Sequence, residues 1–196
     1  MFYPTAPPPP GVPDLGYPTS GVNGMLLVSL NEAISDSGIA GVPPIASLFG
    51  MTDIKDAVFA AMAKAEELIA SGGPDKHGLT PDHIGALHLY TQDILFRELN
   101  AALRSADRDN VKPYFSYLRL LLDAFRRLPP YVPTGGAATL FRGVNKDIAS
   151  HYPDGQKVFF WSFVSCTTDV AVLDNPLFMG KSGPRTMLCI TTPSAR

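Results

Sequence analysis

The sequence has 196 residues, 45% hydrophobic and 10% aromatic, enough for one domain with a substantial buried core and a tail. Its net charge of −2 and pI near 6.0 exclude the basic footprint of a nucleic-acid binder or of a protein drawn to anionic membranes. Cys166 and Cys189 are the only cysteines; they make neither a disulfide framework nor a metal cluster and fall in segments that read as buried strands, so a reducing, cytoplasmic setting is expected. No apolar run reaches the roughly 18 residues of a membrane span, and the N-terminus lacks the basic start and apolar stretch of a signal peptide.

Residues 1–24 contain the Pro7-Pro8-Pro9-Pro10 run with repeated Gly and Pro, a composition that favours extended, polyproline-like chain and reads as a tail. Met25-Leu26-Leu27-Val28-Ser29-Leu30 fits either a short strand or a helical turn, and residues 38–50 mix Gly and Pro with apolar residues. From Thr52, the stripe Ile54, Ala57, Val58, Ala61, Ala65, Leu68 and Ile69 predicts an alanine-rich helix closed by Ser71-Gly72-Gly73-Pro74. A second helix is expected at Thr80-Pro81, where a capping hydroxyl precedes a proline suited to the first helical position. Its apolar stripe continues through Ile84, Leu87, His88, Thr91, Ile94, Leu95 and Leu99 to Ala102 and Leu103. The third starts near Asn110 and runs through Pro113, Tyr114, Leu118, Leu121, Leu122 and Phe125 to Pro129-Pro130.

After Tyr131 the pattern changes to short β-rich pieces at Ala138–Val144, 157–166 and Thr186–Thr192, separated by Gly, Pro, Asn and Asp. The expected class is α+β, with residues 1–50 a proline/glycine-rich tail and unassigned segment. Residues 51–130 are then helical and 131–196 β-rich. No internal repeat is visible.

Chemistry concentrates in two places. Thr139-Leu140-Phe141-Arg142-Gly143-Val144 is an apolar strand interrupted by an arginine followed at once by glycine. The guanidinium fork suits phosphate or carboxylate oxygens, and glycine permits close approach to the backbone; an arginine paired with a core carboxylate is the plainer alternative. The second is Phe159-Phe160-Trp161-Ser162-Phe163-Val164-Ser165-Cys166-Thr167-Thr168-Asp169, where an aromatic run gives way to small hydroxyl residues. These either orient a polar ligand or simply cap a turn.

In order and spacing, Phe141-Arg142-Gly143-Val144 followed by Phe163-Val164-Ser165-Cys166-Thr167 resembles the signature of arginine-specific mono-ADP-ribosyltransferases of the Arg-Ser-Glu type. The helices before it are similar too, at Leu79-Thr80-Pro81-Asp82, Leu95-Phe96-Arg97-Glu98-Leu99-Asn100 and Tyr117-Leu118-Arg119-Leu120-Leu121-Leu122, so the likeness covers roughly residues 79–192. The resemblance implies a helical block leading into the first strands of a split β-sandwich. It implies a glycosyltransferase that cleaves the nicotinamide–ribose bond of NAD and passes ADP-ribose to a protein arginine, without a metal. By position, Arg142 would hold the NAD diphosphate, Gly143 would bond the nicotinamide carboxamide through its backbone, Ser165 and Thr167 would supply the motif hydroxyls, and Phe178 would stack on nicotinamide.

The family also implies a Glu/Gln-x-Glu strand that stabilises the ribosyl cation and addresses the acceptor. No glutamate follows Glu98, so the chain is expected to be an incomplete domain, inactive alone. An alternative from another class is a non-enzymatic interaction module whose proline-rich tail docks on a partner. His77, His83, His88 and His151 lack metal-ligand spacing and read as helix surface or core. Gly135-Gly136 reads as a turn, and Ser165 has no histidine at the distance a hydrolase nucleophile needs.

Overall fold

The computed structural model describes residue 19 and residues 21–73 and 77–195. The proline run at residues 7–10, Pro74 and Arg196 lie outside these. The chain divides into a helical unit, Leu15–Pro129, and a second unit that takes in Pro130–Arg196.

The helical unit begins earlier than expected. Val22 and Leu30 are fully buried, so packed chain already begins within the last residues of the expected tail, 22–24. The unassigned stretch at 25–30 leads into helix α1 (Leu30–Ser35), started by Ser29, whose hydroxyl accepts from the Glu32 N–H at 3.3 Å. Residues 38–50 hold the short α2 (Ile45–Leu48), with Ile45 buried. The alanine-rich helix forms as α3 (Met51–Ala70), and α4 (Pro81–Thr91) starts at the Thr80 cap.

Two expectations about the helices are corrected. The second helix does not run through to Leu103: Gln92 takes an extended backbone, and a new helix, α5 (Phe96–Arg104), begins after it. The Thr91 hydroxyl donates to the His88 carbonyl at 2.7 Å, satisfying an end that α4 would otherwise leave open. The stripe hides this break because Leu95 and Leu99, both fully buried, keep helical spacing across it. The third helix begins as a 3-10 turn, Arg108–Tyr114, which accommodates Pro113, and becomes α6 (Phe115–Arg127) only afterwards.

The core of this unit is aliphatic, with Ile54, Leu89, Leu95, Leu99, Leu118, Leu120 and Leu121 all buried, and Tyr117 at its centre. The Tyr117 hydroxyl donates to the Ala86 carbonyl at 2.8 Å, satisfying the polar end of a buried ring and tying α6 to α4. Helix α4 packs against both α3 and α6. It approaches α3 closely because Gly85 has no side chain: a Cβ there would lie 2.8 Å from Met62 Sδ and 3.0 Å from Leu30 Cδ2.

In the second unit, β1 (Ala138–Val144) pairs antiparallel with β2 (Thr186–Thr192), so that Ala138 faces Thr192 and Val144 faces Thr186. An isolated pairing of Tyr131 with Ala195 continues the match beyond the strands. Gly135 and Gly136, both at positive φ, form the expected turn ahead of β1. Among the described residues, the third expected strand, 157–166, is not a strand. Its side chains alternate as in extended chain, with Phe159 against Trp161 and Phe160 against Tyr152, and Thr167 just beyond it pairs with Phe141. Both cysteines are exposed, contrary to expectation: Cys189 lies on the open face of β2, and Cys166 is in the irregular segment.

Mixed helix and antiparallel strand make the described chain α+β. Among the described residues, no helix is long and apolar enough to cross a membrane.

Gly85→Ala, although it replaces a poor helix former with the best one, is expected to lower stability by about 1–3 kcal/mol through overpacking. Urea denaturation followed by far-UV circular dichroism measures this; a stability gain would mean that Met62 and Leu30 yield without cost.

Candidate functional site

The two motif segments meet at one backbone contact. The Phe141 N–H donates to the Thr167 carbonyl at 2.8 Å, and the Thr167 N–H donates back to the Phe141 carbonyl at 2.9 Å. Backbone groups of successive strand residues point to opposite edges. Leu140 and Arg142 therefore direct theirs to Ile190 and Leu188 of β2, while Gly143, like Phe141, turns its N–H and carbonyl toward the Thr167 edge.

The side chains sort accordingly. Arg142 projects from the face that carries buried Leu140 and half-buried Leu188 and Ile190, opposite the exposed side chains of Met187 and Cys189. Arg142 is itself half-buried, and its Nη1 donates to the Ser165 carbonyl at 3.3 Å. The arginine and the hydroxyl segment thus lie side by side, although 23 positions apart in the chain. Arg142 holds a backbone carbonyl, and no carboxylate stands as its ion-pair partner among the described residues.

The hydroxyls differ in availability. Thr167 Oγ1 accepts from the Asp169 N–H at 3.0 Å and donates to the Asp169 carbonyl at 3.3 Å, which commits it to its own turn. Ser165 is exposed. Between them, partial burial pushes the Cys166 thiol above its usual pKa, and the Arg142 guanidinium pulls the other way.

Gly143 has a packing reason of its own. A Cβ there would lie 2.6 Å from Met179 Cβ and 3.3 Å from Leu173 Cδ2, so the space that glycine leaves open is filled by this chain. Any ligand meeting Gly143 would have to come to its backbone edge. Met179 is held there by a turn in which the Gly180 N–H bonds the Leu173 and Asn175 carbonyls, at 3.0 and 3.1 Å. Phe178 is the neighbour of Met179 and is 44% exposed, with its ring available at the surface. Neither Leu173 nor Met179 was among the expected site residues; the Asn175-Pro176 turn signal alone marks the loop that brings them in.

Three of the described aspartates of this unit make local bonds, and Asp154 is exposed. Asp147 Oδ1 accepts from the Ala149 N–H, Asp169 Oδ1 accepts from the Ala171 N–H, and Asp174 pairs with Lys181 at 3.0 Å. The arrangement offers donors to an anion. Among the described residues, no group of three or more His, Cys, Asp or Glu could hold a metal ion.

A second polar cluster, in the helical unit, was not anticipated. His83, fully buried, takes the third position of α4 in a capping box with Thr80, and its Nε2 lies 3.1 Å from Asp123 Oδ2. Asp123 also pairs with Arg119 at 3.2 Å and Arg127 at 2.7 Å. The four-residue spacing of Arg119, Asp123 and Arg127 was the available signal. Burial pushes the Asp123 carboxyl up, but hydrogen bonds and charge from Arg127 and Arg119 outweigh it and hold the carboxyl below its usual value.

Comparison of the chain with known protein families, with curated proteins and with solved structures finds no match.

Gly143→Ala is expected to destabilise the chain by about 1–3 kcal/mol, because the colliding atom is a Cβ that cannot swing away. Adding Met179→Gly should make the double variant less destabilised than the sum of the singles. Strict additivity in urea titrations would show that the two positions do not compete for space.

Proposed function

We propose that Arg142 and the segment around Ser165 form the NAD-binding part of an arginine-directed mono-ADP-ribosyltransferase. The observation that carries this reading is the adjacency of Phe141-Arg142-Gly143-Val144 and Ser165-Cys166-Thr167, joined by the Phe141–Thr167 pairing and the bond from Arg142 to the Ser165 carbonyl. The donor set fits a dinucleotide. A guanidinium has five N–H donors, and Arg142 turns them from a half-buried face beside an exposed serine, where a diphosphate can take two in parallel. The Gly143 N–H faces the same edge as the Phe141–Thr167 pairing, where it can donate to a carboxamide oxygen, and the exposed Phe178 ring supplies an apolar surface near it.

In the finer fold reading, β1 and β2 are the first strands of a split β-sandwich. A two-stranded sheet is marginal by itself, and the exposed Met187, Val170, Val172 and Leu177 of this unit are the kind of surface that further strands would cover.

These residues account for gripping NAD and not for transfer. Breaking the nicotinamide–ribose bond builds positive charge on the sugar, which a carboxylate must stabilise. The family resemblance assigns that carboxylate to a Glu/Gln-x-Glu strand, and residues 131–196 contain no glutamate. NAD binding without arginine modification is therefore expected of the 196-residue chain.

Isothermal titration of the chain with NAD tests the reading. Binding should be measurable, and Arg142→Lys should weaken it about tenfold or more, because an ammonium cannot reproduce two parallel hydrogen bonds. No binding, or the same affinity in the lysine variant, overturns the proposal.

A further inference from the structure

The capping box of α4 uses a histidine where glutamate or glutamine is usual, and this substitution carries chemistry of its own. His83 Nδ1 lies 3.1 Å from the Thr80 backbone nitrogen and 2.7 Å from Thr80 Oγ1, while Nε2 lies 3.1 Å from Asp123 Oδ2. A backbone N–H only donates, so Nδ1 must accept from it; a carboxylate only accepts, so Nε2 must carry the proton. The neutral Nε2–H form satisfies every partner. The doubly protonated ring sets an N–H against the Thr80 N–H, and the Thr80 backbone loses its acceptor.

The surrounding charges do not favour the cation enough to reverse this. Asp123 already answers two guanidinium groups, from Arg119 and Arg127 on α6. Burial first, then the charge of Arg127, lowers the pKa of His83 below its ordinary value of 6.5, against the opposing Asp123 hydrogen bond and the charges of Asp123 and Asp82 on α4. The same side chains reach further: Arg127 Nη1 donates to the Gly78 carbonyl at 2.9 Å, and buried Leu79 packs with Ala65, Ile84 and Ala124.

We propose that His83 is an acid-sensitive latch: a proton taken up at Nδ1 undoes the first turn of α4 and loosens residues 77–80, which Arg127 and Leu79 pin to the helical unit. For a group whose folded-state pKa lies below its unfolded value of 6.5, the unfolded chain binds more protons between the two values. Stability is therefore full above pH 6.5 and falls as the pH drops through the folded-state pKa. This window is distinct from that of Asp123, whose contribution is lost only in stronger acid, as the pH falls from about 3.8 through its lowered folded-state pKa.

Hydrogen exchange of the 196-residue chain, corrected for intrinsic rates and followed at the His83 and Ile84 amides, reads the latch directly. Between pH 7.5 and 5.0, protection of both amides should be lost progressively once the pH falls below 6.5. His83→Gln keeps a capping-box residue that does not titrate, and protection should then stay level over this range. An equal acid loss in the glutamine variant overturns the proposal. Long-range 1H–15N NMR of the unaltered protein at pH 7.5 is decisive even if that variant does not fold: Nε2–H imidazole is expected, and either the Nδ1–H form or imidazolium overturns it.

Discussion

The main chain of Phe141 sits between two neighbours. Its own N–H and carbonyl bond to Thr167, and the flanking Leu140 and Arg142 face β2, so this short stretch is paired along both edges. Remove the Thr167 contact and the segment that carries Ser165 has no ladder to hold it beside Arg142. Remove β2 and the strand loses the partner that orients the guanidinium away from the exposed face. The position of Arg142 is thus set by backbone bonds on both sides of the strand, and its guanidinium bonds the Ser165 carbonyl.

The two units hold themselves together by different means. The helical unit relies on burial, with leucines from α4, α5 and α6 fully enclosed and Tyr117 satisfied by a carbonyl at their centre. The β unit has few enclosed side chains, chiefly Leu140, Phe163 and Leu173, and depends on backbone pairing and tight turns. Candidate binding residues lie on this less enclosed unit. A ligand that engaged Arg142 would stabilise the folded form in proportion to its occupancy, so on the proposed reading the β unit gains most from NAD.

Where local chemistry dictates structure, the sequence was legible. Thr80-Pro81 marks the start of α4 because cap and first-turn preferences act within a few residues, and β1 and β2 fall where short apolar runs are bounded by turn formers. The break at Gln92 was not, since buried Leu95 and Leu99 preserve the helical period across it. The stretch 157–166 has the side chains of a strand but is not a strand among the described residues, and Cys166 and Cys189 lie on surfaces that no local pattern distinguishes from core. At the candidate site, the juxtaposition of Arg142 with the hydroxyl segment could be read from motif order. That Gly143 leaves room for Met179 could not, because the colliding group arrives from a distant loop. His83 escaped for a similar reason: its helix was legible, while Asp123 comes from another helix altogether.

The exposure of both cysteines has a practical consequence. Cys166 adjoins Ser165 on the segment that Arg142 grips, whereas Cys189 lies across from Phe141, on the sheet face turned away from Arg142. A thiol-reactive fluorophore attached at the first would report on the surroundings of the guanidinium, and one at the second would serve as its internal control. The native sequence therefore already provides two labelling positions, one beside the guanidinium and one on the sheet face turned away from it.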